Sequence, residues 1–219
     1  PSHWRTLAKS WKVVVVSPKF VPKFVVQQFV KKHKQWIINA LKKTNRGDKF
    51  ESETHIFVFG KKYQKEIIFS TTQKTGIYVK GDKLIFNPLT LPKIITPKQK
   101  QTWDKKFKQK TAEFLKNTAG HYIVKRTHEL AKKMSLDFNN ITLRKQKTRW
   151  GSCSSQRNLN FNWKLVHFDT DIIDYVIIHE LSHLVQMNHS KNFWDLVKKY
   201  DRSYLKHRNW LKKNGLSLD

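Results

Sequence analysis

The chain has 219 residues, of which 38% are hydrophobic and 13% aromatic, so it can bury a sizeable core and is not expected to be disordered. It contains no run of about 18 apolar residues, which excludes a membrane-spanning helix, and its single cysteine, Cys153, excludes an internal disulfide. We therefore expect a cytoplasmic protein, and its net charge of +28 invites an anionic partner.

The first part of the chain is predicted to hold one strand and one helix. The valines at residues 13–16 are typical of a buried strand. Pro22 stands near the start of a segment whose apolar residues recur at helical spacing as far as Leu41, which predicts an amphipathic helix. Turn-forming residues at 45–48 end this segment.

The middle third is predicted to form a small antiparallel sheet. Short segments rich in β-branched and aromatic residues alternate there with turn residues. The predicted strands are residues 55–59, 66–69, 76–79 and 83–86. The following residues, 87–97, contain several prolines and are the predicted linker. The linker would separate an N-terminal α/β-rich subdomain, residues 1–96, from a second subdomain, residues 97–219.

The second subdomain is predicted to begin with helical structure. Apolar residues at 98–134 recur at helical spacing and indicate one or two helices interrupted near Gly120. Strands at 141–144 and 159–161 then precede a largely apolar segment, 172–178, that is typical of a helix packed in a core. Thr170 and Asp171 are suitable as its N-cap and first-turn acid. The overall pattern predicts an α+β fold.

This apolar segment leads into a run with metal-site spacing, His179-Glu180-Leu181-Ser182-His183, and His189 follows. On a helix, residues four apart lie on one face, so His179 and His183 can bind one cation while Glu180 flanks its open side. Catalytic zinc takes three protein ligands and leaves the fourth position to water. The spacing therefore predicts a zinc hydrolase centre with ligands His179, His183 and His189 and with Glu180 as the base.

Coincidence explains this pattern poorly. With the composition of this chain, the five-residue run should arise by chance in roughly one such sequence in a hundred. Another His-Glu-Leu run at residues 128–130 has Lys132 where the second ligand would stand. For His189, the alternative is a surface histidine at the start of the next helix. To reach the metal, the chain must leave the helix soon after His183 and reverse, for which Asn188 could supply a left-handed turn.

The chain resembles the YgjP-like metallopeptidase domain family, once called DUF45. The resemblance is carried by residues 148–154, 158–163 and 174–183, by Asn188-His189-Ser190 with Phe193-Trp194, and by residues 210–212. Weaker similarity lies at residues 13–18, 34–37 and 59–63, so nearly the whole chain is covered. The resemblance implies a zincin-like catalytic part with the metal helix at residues 97–219, preceded by a small sheet and a helix. The metzincins have the same step to the third histidine, but with Gly at the position of Gln186.

For a peptidase, the expected mechanism is attack on a carbonyl carbon by a water that zinc acidifies and Glu180 deprotonates. A cleft strand could pair with an extended polypeptide substrate, and residues 158–163 are the candidate. Several further residues have candidate roles. The oxyanion donor could be Arg149, Tyr204, His207 or Arg208. Asp174 or Asp195 could orient a ligand imidazole, although solvation on the helix surface is the alternative for each. Cys153 could be a fourth ligand or a redox switch, although packing as a small residue is the alternative.

The positive charge leaves other functions open. It would attract nucleic acid or nucleotides, although lysine-rich composition alone can produce it and no recognisable nucleic-acid motif accompanies it. One alternative is a metal-dependent hydrolase of nucleotide phosphoanhydrides, since zinc hydroxide can attack phosphorus. Another is a protease that acts on nucleic-acid-bound partners, as the distantly similar SprT-type proteases suggest.

Overall fold

The computed structural model describes residues 22–34, 50–52, 54–88, 97–146 and 148–214. The chain divides into two compact units, residues 1–45 and 46–219. In the first unit, helix α1 (Lys23–Lys32) follows Pro22 as predicted. The predicted strand at residues 13–16 and most of the linker at 87–97 lie outside the described residues, and the subdomain boundary at residue 97 stays a prediction.

The second unit begins with a four-stranded sheet. Its strands are β1 (His55–Val58), β2 (Lys61–Ile67), β3 (Gly76–Lys80) and β4 (Lys83–Asn87), in the order β1-β2-β4-β3. The prediction of a purely antiparallel sheet is wrong, because β2 and β4 are parallel. After β2 the chain forms β3 at the edge of the sheet, leaving one strand position between it and β2. It then forms β4 between β2 and β3. Strand β2 also begins at Lys61 rather than at residue 66. The sequence pattern missed its first half because those residues are mostly polar and exposed.

One long helix, α2 (Pro97–Met134), follows. The predicted interruption near Gly120 is wrong, because the helix continues through it. A glycine inside a helix costs only about 1 kcal/mol relative to alanine, and packing outweighs that cost here. Leu115, Ala119 and Ile123 are fully buried at helical spacing around the glycine and hold the helix against the core.

A second, three-stranded sheet precedes the metal helix. It consists of β5 (Asn140–Arg144), β6 (Gly151–Cys153) and β7 (Asn158–Asn162), in the order β5-β7-β6. Strands β5 and β7 confirm two predicted strands. The prediction that residues 158–163 offer free backbone to a substrate is wrong, since β7 pairs with β5 on one side and with β6 on the other. Within the described chain, β5 and β6 are the two edge strands of this sheet, and β6 is the one that packs against Glu180.

The rest of the unit is helical. A 3₁₀ helix (Trp163–His167) leads into α3 (Thr170–Ser182), which is followed by α4 (Lys191–Tyr200) and α5 (Tyr204–Asn214). Helix α3 is the centre of the core, with every residue from Ile172 to Ser182 buried except Asp174. Its N-cap is Asp169 rather than the predicted Thr170, which is the first helical residue. The fold is α+β, as predicted. No helix in the described parts of the chain is long and apolar enough to cross a membrane.

Two contacts fix the start of α3. The β1–β2 turn packs against it, because a Cβ at Gly60, which has a φ of +75°, would overlap the Asp169 carboxylate. The backbone N–H of Phe59 also donates to the carbonyl of Val166 at 2.7 Å. Farther along α3, Asp174 accepts bonds of 2.7–3.0 Å from the guanidinium of Arg126 on α2. The first sheet and the long helix thus hold the helix that carries the metal motif.

Candidate metal centre

Three imidazoles converge at the C-terminal end of α3. The Nε2 atom of His179 lies 3.3 Å from Nε2 of His183 and 3.1 Å from Nε2 of His189. Ligand atoms of all three residues lie within 4.8 Å of one another. The structure therefore brings together the three histidines predicted as ligands.

The backbone geometry explains how His189 reaches the other two rings. Helix α3 ends at Ser182, with His183 as its C-cap, and α4 begins only at Lys191. The reversal uses no left-handed residue, so the expected positive φ at Asn188 is wrong. For the same reason Gln186 can occupy the position that is Gly in metzincins. Its carbonyl lies 3.1 Å from Nδ1 of His183, which can donate to it while Nε2 faces the other imidazoles.

An aromatic layer supports the imidazoles from α4 and α5. The buried ring of Phe193 stacks on His183 with a centroid distance of 4.6 Å, and Trp194 stacks on His189 at 5.5 Å. Tyr204 stacks on Trp194 at 5.6 Å, and the guanidinium of Arg208 lies 4.3 Å from the centre of the same ring. Stacking of this kind restricts ring rotation. The sequence signal for this layer was the aromatic pair shortly after His189.

These distances fit a shared zinc ion. Zinc–imidazole bonds of about 2.0–2.1 Å in tetrahedral geometry place ligand nitrogens about 3.3–3.4 Å apart. The distances from Nε2 of His179 to the other two Nε2 atoms, 3.3 and 3.1 Å, are close to this value. Neutral imidazole nitrogens are also donors that zinc prefers, although they suit other transition metals too. The residues therefore fit the predicted metal.

Glu180 follows His179 on α3, and its carboxyl group packs against Gly151 of strand β6. Its side chain is only 2% exposed, and burial raises its pKa to about 8, against the opposing effect of the positive charge of Arg149. Gly151 on β6 makes room for it, because a Cβ there would lie 2.5 Å from Oε1. Sequence reasoning did not identify this role of Gly151; the only signal was a glycine in a short motif upstream of the metal helix.

Gly151→Ala is expected to displace the Glu180 carboxylate without unfolding the protein, since the glycine does not have a positive φ. Displacing a catalytic group by about 1 Å can cost roughly a hundredfold in rate, so a drop in turnover of about ten- to a hundredfold is expected. Metal content and circular dichroism should stay unchanged. Ser152→Ala on the same strand is the control, and equal activity of both variants would contradict this role of Gly151.

The raised pKa of Glu180 predicts a pH effect on the metal-free protein. Because the pKa of this carboxyl is higher in the folded state than its usual value of 4.5, its protonated form stabilises the fold. This stabilisation is complete below pH 4.5 and is lost as the pH rises through the folded-state pKa of about 8. In chelator, wild type and Glu180→Gln should therefore melt alike near pH 4, whereas the variant should melt at higher temperature near pH 8. A melting difference that is the same at both pH values would contradict this assignment.

The other candidate residues have different surroundings. Asp174 is bound by Arg126 and does not orient an imidazole, while Asp195 is exposed. Cys153 is not part of the three-histidine cluster, which argues against a fourth ligand, and burial, together with the charge of Glu180, raises the pKa of its thiol to about 11. The Nδ1 atom of His207 lies 2.7 Å from a carboxylate oxygen of Asp201.

Comparisons with known proteins place the chain in a family. No curated protein matches it. Among solved structures, the abylysin metallopeptidase zymogen of Pyrococcus abyssi aligns with a TM-score of 0.39 and 16% identity over 43% of this chain and 98% of its own. The jannalysin metallopeptidase zymogen of Methanocaldococcus jannaschii aligns with a TM-score of 0.38 and 22% identity over 42% of this chain and 94% of its own. The profile of the YgjP-like metallopeptidase domain matches residues 6–214. The chain therefore belongs to the YgjP-like metallopeptidase domain family.

Proposed function

We propose that this protein is a zinc-dependent peptidase, with His179, His183 and His189 as the zinc ligands and Glu180 as the general base. The observation that carries the proposal is that Nε2 of His179 lies 3.3 Å from Nε2 of His183 and 3.1 Å from Nε2 of His189, in a cluster whose ligand atoms all lie within 4.8 Å of one another and whose helix also carries the buried Glu180. When bound, zinc lowers the pKa of its water toward neutrality and polarises a carbonyl oxygen.

The role of Glu180 follows from its position and surroundings. Its carboxylate takes a proton from the attacking water and returns it to the amine that leaves when the peptide bond breaks. Because the side chain is buried, little bulk water competes for this proton. Burial raises the pKa of Glu180 in the metal-free protein, whereas the positive charge of Arg149 lowers it. A bound cation would lower it further, and both charges favour the ionised form that acts as a base.

Strand β6 is the proposed site for the substrate backbone. The backbone N–H of Asn162 donates to the carbonyl of Trp150, and the backbone N–H of Ser154 donates to the carbonyl of Asn158. Since bonding alternates along an antiparallel pair, the N–H and C=O groups of Gly151 and Cys153 point away from β7. An extended peptide can pair with these groups next to Glu180, with little dependence on its side chains.

A side-by-side assay tests this function against the two alternatives left by the sequence. Unfolded casein and a nucleoside triphosphate are incubated with the zinc-loaded protein, with and without single-stranded DNA. The proposal expects cleavage of casein, no release of phosphate, and loss of cleavage in chelator. Phosphate release without casein cleavage would favour the nucleotide hydrolase, and casein cleavage only with DNA would favour the nucleic-acid-associated protease.

The cytoplasmic location stays a prediction.

A further inference from the structure

The proposed substrate strand β6 lies in a part of the chain that has no acidic residue. Between Asp137 and Asp169 the sequence contains no Asp or Glu, whereas it contains six basic residues: Arg144, Lys145, Lys147, Arg149, Arg157 and Lys164. Apart from Lys147, which lies outside the described residues, none of these forms an ion pair with a carboxylate of the described chain. The positive charge around β6 is therefore not neutralised by the described part of the molecule.

A buried asparagine fixes the chain just before β6. Asn162 on β7 is fully buried, and its Nδ2 atom donates to the carbonyls of Gln146 at 2.9 Å and Arg149 at 3.3 Å. The backbone N–H of Asn162 also donates to the carbonyl of Trp150 at 2.8 Å. The backbone of Arg149 is therefore held at the start of β6, while the residue itself is exposed to solvent.

Arg149 stands close to the proposed general base. Gly151, which packs against the carboxyl group of Glu180, follows two residues later, and two residues span at most about 7 Å. The positive charge of Arg149 also lowers the pKa of Glu180, as a nearby cation does. A peptide that pairs with the outward backbone groups of Gly151 and Cys153 can therefore reach Arg149 beside Glu180.

The guanidinium of Arg149 is available to a ligand. Its side chain forms no hydrogen bond, ion pair or ring contact with any part of the chain that the structure describes. At the other end of β6, by contrast, Nε of Arg157 donates to the carbonyl of Asp137 at 3.0 Å. A guanidinium presents its N–H donors in a planar fork that matches a carboxylate. The chemistry of the site thus favours a carboxylate ligand.

We propose that Arg149 binds an aspartate or glutamate side chain of the substrate, so that the protein prefers acidic polypeptides. This inference rests on the proposed peptidase function, because it assigns the specificity of the same site. The substrate backbone pairs with β6, and the carboxylate accepts charge-assisted hydrogen bonds from the guanidinium close to the bond that is cleaved. Since backbone pairing depends little on side chains, Arg149 supplies the selectivity.

Binding of peptides to the metal-free full chain tests this inference without any cleavage. The probe is a fluorescently labelled peptide of about eight residues with two glutamates on each side of a central pair of alanines, and matched peptides carry glutamine or lysine instead. At physiological salt, where charges beyond about 8 Å are largely screened, the glutamate peptide should bind with a dissociation constant below about 1 mM. The glutamine peptide should bind at least about threefold more weakly and the lysine peptide at least about tenfold more weakly. Equal affinity for the glutamate and glutamine peptides, or no binding of the glutamate peptide below about 1 mM, would overturn the proposal.

Arginine variants locate the preference. Arg149→Gln should bring the affinities for the glutamate and glutamine peptides within about twofold of each other, and Arg149→Glu should lower the preference for glutamate over lysine about tenfold or more. Arg144→Gln is the matched control, because Arg144 is also exposed but lies on β5, at the opposite edge of the sheet. It removes the same charge and should keep the wild-type preference. An equal loss of preference in Arg149→Gln and Arg144→Gln would show attraction by net charge alone and would contradict the role of Arg149.

The bonds that the zinc-loaded protein cleaves in unfolded casein separate this inference from the proposed function. Mass spectrometry of the fragments locates these bonds. Aspartate or glutamate should occur within about two residues of a cleaved bond at least about twice as often for the wild type as for Arg149→Gln. Absence of cleavage by the wild type would contradict the peptidase function, while the binding comparison would still test Arg149. Cleavage at the same bonds by the wild type and Arg149→Gln would contradict only the role of Arg149.

Discussion

Glu180→Gln is expected to lower peptide cleavage by about a hundredfold or more while the bound metal stays in place. The amide keeps the shape of the side chain but cannot accept the proton of the attacking water. Because Glu180 is not one of the three converging ligands, its substitution should leave zinc stoichiometry unchanged. Turnover of a quenched fluorescent casein, measured beside zinc content, gives both values.

The chain itself offers a matched control for this variant. Glu129 belongs to the other His-Glu-Leu run and lies partly exposed on α2, where it pairs with Arg126 at 2.8 Å. Glu129→Gln removes the same charge from the same local sequence and should retain wild-type cleavage. Activity of Glu180→Gln above about one tenth of wild type would remove Glu180 from the mechanism.

His189→Ala is expected to abolish stable zinc binding and, with it, cleavage. Loss of a residue that only supports a metal ligand costs 10- to 100-fold in affinity, so loss of a ligand should cost on the order of a hundredfold or more. The zinc dissociation constant is measured by competition with a chromophoric chelator. This readout does not depend on the catalytic step.

His121→Ala is the control, since this exposed histidine lies on α2 and is not in the three-histidine cluster. It should bind zinc as the wild type does. If His189→Ala keeps wild-type affinity, the three-histidine site is wrong and another residue completes the shell.

The three-histidine cluster was predictable because its geometry is largely local. His179, Glu180 and His183 lie within one helical turn, and helical spacing alone sets their relation. His189 required one further inference, that the chain reverses after His183. That inference holds, whereas the expected left-handed Asn188 does not, because backbone in the ordinary φ region makes the turn.

What the sequence did not predict depends on non-local packing. The parallel pairing of β2 with β4 follows from how strands fill the sheet, which no short pattern encodes. The continuity of α2 through Gly120 depends on the core that buries Leu115 and Ile123. The roles of β6 and Gly151 depend on the contact of an edge strand with Glu180, which joins residues far apart in the chain.

A zinc titration of the metal-free protein tests the central claim most directly. Peptide cleavage is measured by mass spectrometry of casein fragments as zinc is added back to protein stripped by chelator. The account predicts that the rate of cleavage rises in proportion to bound zinc and reaches its limit at one ion per chain. Cleavage that is independent of zinc, or one bound zinc per chain without any new peptide ends, would contradict it.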